Sequence, residues 1–501
     1  MVGTMEETRI PGYFKNKGIL ITGSTGFLGK ILVEKILRVQ PDVKRIYLPV
    51  RAPDAASAKK RVETEVMGTE LFGAVRETHG KGFQSFIEEK VVALAGDVVY
   101  ENLGVEEPQL SQMAREINVI VNSAATTNFY ERYDVALDVN VMGVKHPSSA
   151  PIWRSSSTST TAYVVGETQG VVAERAFKPG ETLRPDVQRQ ELDIDDELRL
   201  ARDYQRQVAG DDAEQKNERK AMKELGLARA REFGWPNTYV FTKALGEMML
   251  VQQLAGGGGG VVPVVIVRPS IITSIHKEPV AGWIEGTRTI DAILIGYAKQ
   301  NLSCFLADLD LTMDVIPGDM VVNAMMAAAA AHASSPSPGT AAATVYHATS
   351  SLRNPAPYAV LYRTAIRYFR AHPRVGKDGR PVRTRRVHFF GTVAAFTAYM
   401  VLRYRLPLEM LRLLSLLCCG LLFSRVYADL DRKYSFVMRL VDLYGPFALF
   451  KGVFDDDNME RLRRGMAPGD AVEFNFDPRS MDWDDYFYNI HIPGVMKYVL
   501  K

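Results

Sequence analysis

Two groups of residues in this 501-residue chain have types and spacing that could do chemistry. The first is Gly23-x-x-Gly26-x-x-Gly29, which lies between an apolar run at 18–22 and a segment of helical periodicity at 30–38. Small residues let the backbone turn tightly and approach a pyrophosphate, whose oxygens then meet the N–H groups at the start of the following helix. Glycine is also common in structural turns, but the strand before it and the helix after it favour a dinucleotide site.

The second group is Tyr239 and Lys243, which lie four positions apart in a predicted helix over 239–254. Positions i and i+4 share one face of a helix. A lysine ammonium beside a phenol lowers the phenol's pKa, so that the tyrosine can deliver a proton during carbonyl reduction. The same spacing is also found on ordinary amphipathic surfaces. Together with the glycine motif, it indicates reduction of a carbonyl by a nicotinamide dinucleotide.

Two further residues bear on the type of dinucleotide. Arg51 follows an apolar run at 45–50, where an NAD enzyme usually carries an acid for the ribose 2′-hydroxyl. An arginine there suits a 2′-phosphate and favours NADPH over the alternative, which is a solvated surface arginine. Asp97 follows a run at 91–94, and it could bind the adenine amino group or serve as a turn residue.

The elements that must position these residues alternate between short apolar runs and helical segments. Such alternation predicts an α/β fold, a Rossmann-type doubly wound parallel sheet with both faces covered. Strands are predicted at 18–22, 45–50, 91–94, 119–121, 261–267 and 343–348, and helices at 30–38, 195–233, 239–254 and 323–333. Five glycines at 256–260 should end the third helix. We place an NADPH-binding domain with substrate-binding insertions at 1–360 and a mostly helical domain at 361–501.

The composition is that of an ordinary globular protein, with 47% hydrophobic and 24% charged residues. The formal net charge of +3 gives no reason to expect a nucleic-acid partner. The three cysteines, Cys304, Cys418 and Cys419, cannot form a disulfide framework and lack zinc-site spacing, so we expect a reducing compartment and no metal. Residues 1–17 have neither the apolar stretch of a signal peptide nor the character of a transit peptide.

Two uncharged or nearly uncharged runs, 387–402 and 406–423, characterise the second domain. Each is shorter than the roughly 20 residues that a spanning helix needs. Arginines flank them at Arg383, Arg385, Arg386, Arg403, Arg405 and Arg425. The runs could form interfacial helices on an anionic membrane surface, or they could form a buried helical core or a lid over an acyl chain.

Longer blocks of sequence resemble the alcohol-forming fatty acyl-CoA reductases of plants, within the extended short-chain dehydrogenase/reductase superfamily. The resemblance covers nearly the whole chain. The blocks are ITGSTGFLG (21–29), NSAATTNF (122–129), ERYDVALDVNVMGVK (131–145), TAYVVGE (161–167), VIVRPSII (265–272), GW (282–283), DVIPGDMVVN (314–323), FNFDPRS (474–480) and DWDDYFYNIHIPG (482–494).

This resemblance implies reduction of a long-chain acyl-CoA to a primary alcohol by two NADPH, through an aldehyde and with release of CoA, for wax, cutin, suberin or pollen-wall lipids. Tyr239 would protonate the alkoxide, and Lys243 would lower its pKa and hold the nicotinamide ribose. Thr160 would polarise the carbonyl, and Asn140 would order a water near the lysine. The implied cofactor contacts are Thr22, Gly23, Thr25, Gly26, Phe27, Leu28, Gly29, Arg51, Asp97, Val98, Asn122, Ala124, Tyr239, Lys243, Pro269 and Ser270. The implied location is the cytoplasmic face of the endoplasmic reticulum or the cytoplasm, rather than a plastid.

One segment, HPSSAPIWRSSSTST at 146–160, departs from the family pattern. Relatives have an apolar strand there that ends in a serine, whereas this chain has Thr160 at that position. A central strand should be continuously hydrophobic, and 154–158 is not. Pro147 and Pro151 should also interrupt the preceding helix. A disrupted strand is therefore expected, and it leaves open an inactive pseudoenzyme. A separate alternative is another extended reductase, one that acts on a nucleotide sugar or stops at the aldehyde.

Overall fold

A seven-stranded parallel sheet forms the centre of the computed structural model. The structure describes residues 9–148, 155–184, 192–208, 215–255, 263–287, 289–300, 302–333, 343–375, 379–417 and 424–500. The strands are β1 (Gly18–Thr22), β2 (Arg45–Val50), β3 (Val91–Ala95), β4 (Ile117–Asn122), β5 (Ser155–Ser159), β6 (Val264–Pro269) and β7 (Thr344–Ala348). Their order is β7-β6-β5-β4-β1-β2-β3, which confirms the predicted Rossmann-type sheet.

Helices cover both faces of the sheet. On one face, α1 (Phe27–Val39) and α3 (Gly318–Ala333) pack against apolar side chains of β1, β4 and β6. On the other face, α2 (Thr238–Ala255) and the helix Gly143–Ser148 meet the opposite side of β6, through Leu250 and Val144. A long C-terminal helix, α4 (Ser424–Ala448), contributes Phe447 to a cluster of aromatic and apolar side chains that also contains Phe241 of α2.

The remaining elements complete the loops and the C-terminal region. Further helices span Arg9–Phe14, Ala55–Arg61, Gly73–His79, Phe83–Lys90, Glu107–Glu116, Tyr133–Leu137, Ile194–Val208, Gln215–Glu232, Thr289–Ala298, Tyr358–Ala371, Val393–Met400, Leu406–Leu417, Asp457–Arg464, Pro468–Glu473, Trp483–Asp485 and Ile492–Tyr498. Short π-helical or 3₁₀-helical segments occur at Val62–Met67, Glu70–Phe72, Gly80–Gly82, Glu101–Gly104, Asp138–Met142, Ala162–Val165, Val401–Arg405, Pro478–Ser480 and Tyr486–His491. The helix predicted at 195–233 is seen as two helices, and residues 209–214 lie outside the described part.

Short parallel strand pairs join the two halves of the chain. Gly170–Val172 pairs with Gly452–Phe454, and Cys304–Leu306 pairs with His388–Phe390. A third pair, Ile271–Thr273 with Val315–Pro317, lies within the first half. The C-terminal region is therefore tied by backbone hydrogen bonds to the part of the chain that carries the sheet.

The expectation of a disrupted central strand is wrong. β5 lies between β4 and β6, with Ser157 in register with Val121 and Val265. The strand can form because parallel pairing uses backbone groups, which every side chain except proline leaves available. Pro147 lies in the last turn of its helix, which ends at Ser148, whereas Pro151 and the rest of 149–154 lie outside the described residues.

The two apolar runs of the C-terminal region are largely exposed. Leu402, Leu413 and Leu417 are 67%, 61% and 80% exposed. In the first run, Val387, Phe396 and Met400 are buried. In the described part of the second run, 406–417, most apolar side chains are exposed, so the interpretation as a buried core is wrong there. In the described ranges, no helix combines the length and the apolar character needed to cross a bilayer. The described ranges exclude residues 418–423, with Cys418 and Cys419, and the glycines 256–260.

Candidate active site

The glycine loop joins β1 to α1, and its conformation requires glycine. Gly23 has a φ of +69°, and a Cβ there would lie 2.7 Å from the backbone N of Ala124. A Cβ on Gly29 would overlap the carbonyl oxygen of Gly23. Gly26, which is exposed, donates its N–H to Gly23 O at 2.9 Å and precedes the first turn of α1. The loop thus forms an open cradle at a helix N-terminus, which fits the pyrophosphate of a dinucleotide.

A cavity of about 460 Å³ lies above this loop, at the carboxyl ends of the strands. It brings together the two motifs, which are far apart in the sequence. The predicted site residues that line it are Gly23, Gly26, Phe27, Leu28, Gly29, Thr160, Tyr239, Lys243, Pro269 and Ser270. A crevice beyond the strand ends of an open α/β sheet is where such folds bind their ligands.

Three of the predicted cofactor contacts support the cavity without lining it. Thr22 donates its hydroxyl to Asn122 Oδ1 at 2.5 Å and accepts the N–H of Ala124 at 3.2 Å. Asn122 in turn donates to the carbonyl oxygen of Gly143 at 3.0 Å. These bonds fix the ends of β1 and β4 beside each other, where the glycine loop begins.

Four other predicted contacts also lie outside the cavity wall. Thr25 is half-buried in the loop, and Arg51 is exposed directly after β2. Asp97 donates its N–H to Leu103 O at 2.9 Å, and its carboxylate accepts the N–H of Val99 at 3.3 Å, as a turn aspartate does. Val98 is buried in the cluster behind β3. Cofactor contact by these four residues stays a prediction.

Lys243 and Tyr239 lie on one face of α2 at the cavity. Lys243 is buried, and its ammonium donates to the carbonyl oxygen of Ser159 at 3.0 Å. Burial lowers the pKa of Lys243 to about 8, against the smaller opposing effect of Glu247 one turn later. The Tyr239 ring is half-buried and stacks on Phe129, with 5.5 Å between ring centroids. A lysine with a lowered pKa beside a tyrosine in a cleft is typical of a proton-transfer site.

The two remaining predicted catalytic residues occupy different surroundings. Thr160 lines the cavity, and its hydroxyl is buried without a hydrogen-bond partner in the described part of the chain. A buried polar atom of this kind is where a ligand oxygen can bind. Asn140 is buried away from the cavity, and its amide bonds to both backbone groups of Thr126 and to the hydroxyl of Thr242. Its role near the lysine stays a prediction.

Sequence reasoning missed an aromatic wall of the cavity, next to Tyr239. Phe129 stacks on Tyr444 at 4.8 Å and contacts Phe447 at 5.2 Å, and the last two residues come from α4. Tyr163 meets Phe447 edge-on at 5.5 Å. The spacing of Tyr444 and Phe447, which places both on one helix face, was the only sequence signal of this wall.

Comparison with known proteins identifies the family. Two models described as "Male sterility protein" match the chain, an NAD-binding one over residues 21–325 and a second one over 403–501. "Fatty acyl-CoA reductase 1" of Arabidopsis thaliana is 44% identical over 99% of this chain and 100% of its own length. "Alcohol-forming fatty acyl-CoA reductase" of Simmondsia chinensis is 42% identical over 98% of both chains.

The chain belongs to the fatty acyl-CoA reductase family. A solved structure, the terminal R domain from the myxalamid PKS-NRPS pathway, shares the fold with a TM-score of 0.56 at 16% identity, covering 96% of this chain and 91% of that one. In this fatty acyl-CoA reductase, the glycine cradle and the matched NAD-binding model agree, so the cavity is that of an NAD(P)-binding domain.

Proposed function

We propose that this reductase converts a long-chain fatty acyl-CoA to a primary alcohol, through an aldehyde, with NADPH as the reductant and CoA released. The observation that carries the proposal is a single cavity in which Tyr239, Lys243 and Thr160 face the glycine loop. We assign the cofactor to the domain at 1–360. The contacts of Phe129 with two aromatic side chains of α4 support a position of the domain at 361–501 over the substrate.

Thr160, Tyr239 and Lys243 have different roles in the reduction of the carbonyl group. When bound, the nicotinamide supplies the hydride. The hydroxyl of Thr160 donates a hydrogen bond to the carbonyl oxygen, which gains negative charge as the hydride arrives. Tyr239 transfers its proton to that oxygen in the aldehyde step, and the ammonium of Lys243 stabilises the phenolate left behind. In the thioester step, the oxyanion collapses to the aldehyde and CoA leaves as the thiol once it has gained a proton.

The aromatic wall supports a substrate whose bulk is an alkyl chain. Phe129, Tyr163, Tyr444 and Phe447 line the cavity, and Phe129 stacks on Tyr239. Apolar and aromatic surfaces bind an alkyl chain by removing it from water, at roughly 25 cal/mol per Å² of area buried. The polar end of the substrate would then lie at Thr160 and Tyr239.

The preference for NADPH over NADH rests on Arg51. It follows β2 on the exposed surface, and in the described ranges its guanidinium makes no ion pair. A 2′-phosphate on the adenosine ribose would supply the missing anion. Arg51→Glu should therefore raise the KM for NADPH by about tenfold or more, since a charge-assisted contact becomes a repulsion. The KM for NADH should stay unchanged or fall.

We also propose that the protein attaches peripherally to the cytoplasmic face of the endoplasmic reticulum. The exposed side chains of Leu402, Leu413 and Leu417 lie near Arg403 and Arg412, a composition that suits an anionic lipid surface. Replacing the three leucines with aspartate should abolish flotation with anionic vesicles. Unchanged flotation would contradict the attachment.

The decisive experiment for the reaction is product analysis. The purified chain is incubated with NADPH and a series of long-chain acyl-CoA substrates, and the products are identified by mass. We expect the alcohol, with two NADPH consumed for each one formed. Tyr239→Phe should lower kcat by about 10²- to 10⁴-fold because it removes the proton donor. Aldehyde without alcohol would favour a reductase that stops early, and cofactor binding without any turnover would favour a pseudoenzyme.

A further inference from the structure

Two cationic side chains lie over the ring of Tyr130, the residue that follows Phe129 of the cavity wall. The ammonium of Lys223 lies 5.4 Å from the centre of the Tyr130 ring, and the guanidinium of Arg439 lies 5.1 Å from it. Lys223 belongs to the helix Gln215–Glu232, and Arg439 belongs to α4. Three separate parts of the chain thus place two positive charges on one ring.

In the described part of the chain, Lys223 and Arg439 have no carboxylate within ion-pair distance, although acidic residues are close by. Glu224, the next residue along, lies 3.7 Å from Lys220 instead. Other cations on the same two helices do find partners, as Arg231 does with Asp442 at 2.7 Å. Two unpaired cations side by side repel each other, so the arrangement favours an anionic ligand.

The position of the pair relates it to the reaction centre. Tyr130 is the chain neighbour of Phe129, whose ring stacks on Tyr239 at 5.5 Å and on Tyr444 at 4.8 Å. Arg439 precedes Tyr444 by little more than one turn of α4. The cations therefore lie just beyond the aromatic wall, whereas the glycine loop that would hold the dinucleotide pyrophosphate borders the same cavity at the start of α1.

We propose that Lys223 and Arg439, with Tyr130 between them, bind the phosphorylated adenosine end of the acyl-CoA. This inference rests on the proposed substrate. Arginine and lysine are the usual partners of phosphate oxygens, and the exposed guanidinium plane of Arg439 can stack on an adenine. The pantetheine arm, which separates the phosphates of CoA from its thioester, would run past Phe129 to reach Tyr239. Two nucleotides would then bind the same cavity from different sides without competing.

The test compares two thioesters that carry the same acyl chain. One is the acyl-CoA, and the other is the acyl thioester of N-acetylcysteamine, which has no phosphates. In the double variant Lys223→Ala/Arg439→Ala, we expect the KM for acyl-CoA to rise by roughly 10- to 100-fold, since each charged contact with phosphate is lost. The KM for the N-acetylcysteamine thioester and the kcat for both substrates should stay unchanged.

A binding measurement separates this inference from the proposed reaction. Adenosine 3′,5′-bisphosphate is titrated calorimetrically into the wild type and the double variant, which needs no turnover. The wild type should bind it and the variant should not, while both should bind NADPH equally. The matched control is Lys220→Ala/Arg432→Ala. It removes two exposed cations from the same two helices, but these cations already pair with Glu224 and Asp429. It should bind the bisphosphate as the wild type does.

Three results would overturn the inference. One is a bisphosphate affinity that is unchanged in the Lys223/Arg439 variant. Another is an equal rise in KM for both thioesters, which would mean that the substitutions disturb the cavity itself. A third is a loss of binding to anionic vesicles without any change in bisphosphate binding, which would assign the two cations to a membrane surface.

Discussion

The polar central strand gives the sharpest prediction about stability. β5 contains Ser157 and Thr158, which are 3% and 2% exposed, and neither hydroxyl has a hydrogen-bond partner in the described structure. Because side chains alternate along a strand, Ser157 faces the same side as Val121 and Val265, whereas Thr158 faces the side of Ile266. The perturbation is the double substitution Ser157→Ala/Thr158→Val, which removes both hydroxyls with little change in volume.

The magnitude follows from the cost of an unsatisfied buried hydroxyl, about 1–3 kcal/mol each. Because successive side chains of a strand point to opposite faces of the sheet, we expect the two contributions to add. We therefore expect the double variant to raise the free energy of unfolding by about 2–6 kcal/mol. Neither residue lines the cavity, so kcat and KM should stay unchanged.

The assay is thermal and urea unfolding of the wild type, both single variants and the double variant. Thr364→Val is the matched control, because Thr364 is also fully buried but donates its hydroxyl to Asp484 at 2.7 Å. That substitution should lower stability by about 1–3 kcal/mol. If the β5 variant were destabilised like the control, the two hydroxyls would have partners in the folded protein and the reasoning would be refuted.

Three other predictions concern the cavity and its supports. Lys243 has a pKa of about 8 in the folded protein and an ordinary value of 10.5, so the unfolded chain binds more protons between pH 8 and pH 10.5. The free energy of unfolding of the wild type, relative to that of Lys243→Met, should therefore rise as the pH increases through this window. Urea unfolding at several pH values measures this difference. Gly23→Ala should abolish NADPH binding in fluorescence titrations, because the residue has a φ of +69° and no room for a Cβ. Arg268→Met should lower the unfolding free energy by about 3–5 kcal/mol in the same assay, since it leaves Glu247 buried and unpaired.

Local patterns were enough to predict much of the sheet. β1 and β2 begin and end where the apolar runs do, because each is a short buried segment bounded by turn residues. β5 could not be predicted in this way. Its pairing is set by β4 and β6 on either side, and neighbouring strands can hold a segment whose own side chains favour solvent.

The candidate site shows the same division. Tyr239, Lys243 and the glycines were predictable because each motif has a fixed spacing within one element or turn. Tyr444 and Phe447 were missed because their place depends on how α4 packs against Phe129. The spacing of the two residues places them on one helix face, but it does not show which distant element that face contacts. Asn140 is a different case. The resemblance alone assigned it to the site, and in the structure it lies behind the cavity wall, where its amide donates to the hydroxyl of Thr242.

The charges along α2 explain how a buried lysine can act on the tyrosine. Lys243 and Glu247 are one turn apart, and an isolated glutamate there would hold the ammonium in an ion pair. Glu247 is instead engaged by Arg268 of β6, whose Nε donates to Oε1 at 2.9 Å, and both side chains are 1% exposed. Because the glutamate already pairs with Arg268, the Lys243 ammonium is left to donate to the carbonyl oxygen of Ser159 at the cavity. The same pairing limits how far Glu247 can raise the pKa of Lys243, so burial prevails and the lysine can exchange a proton near neutral pH.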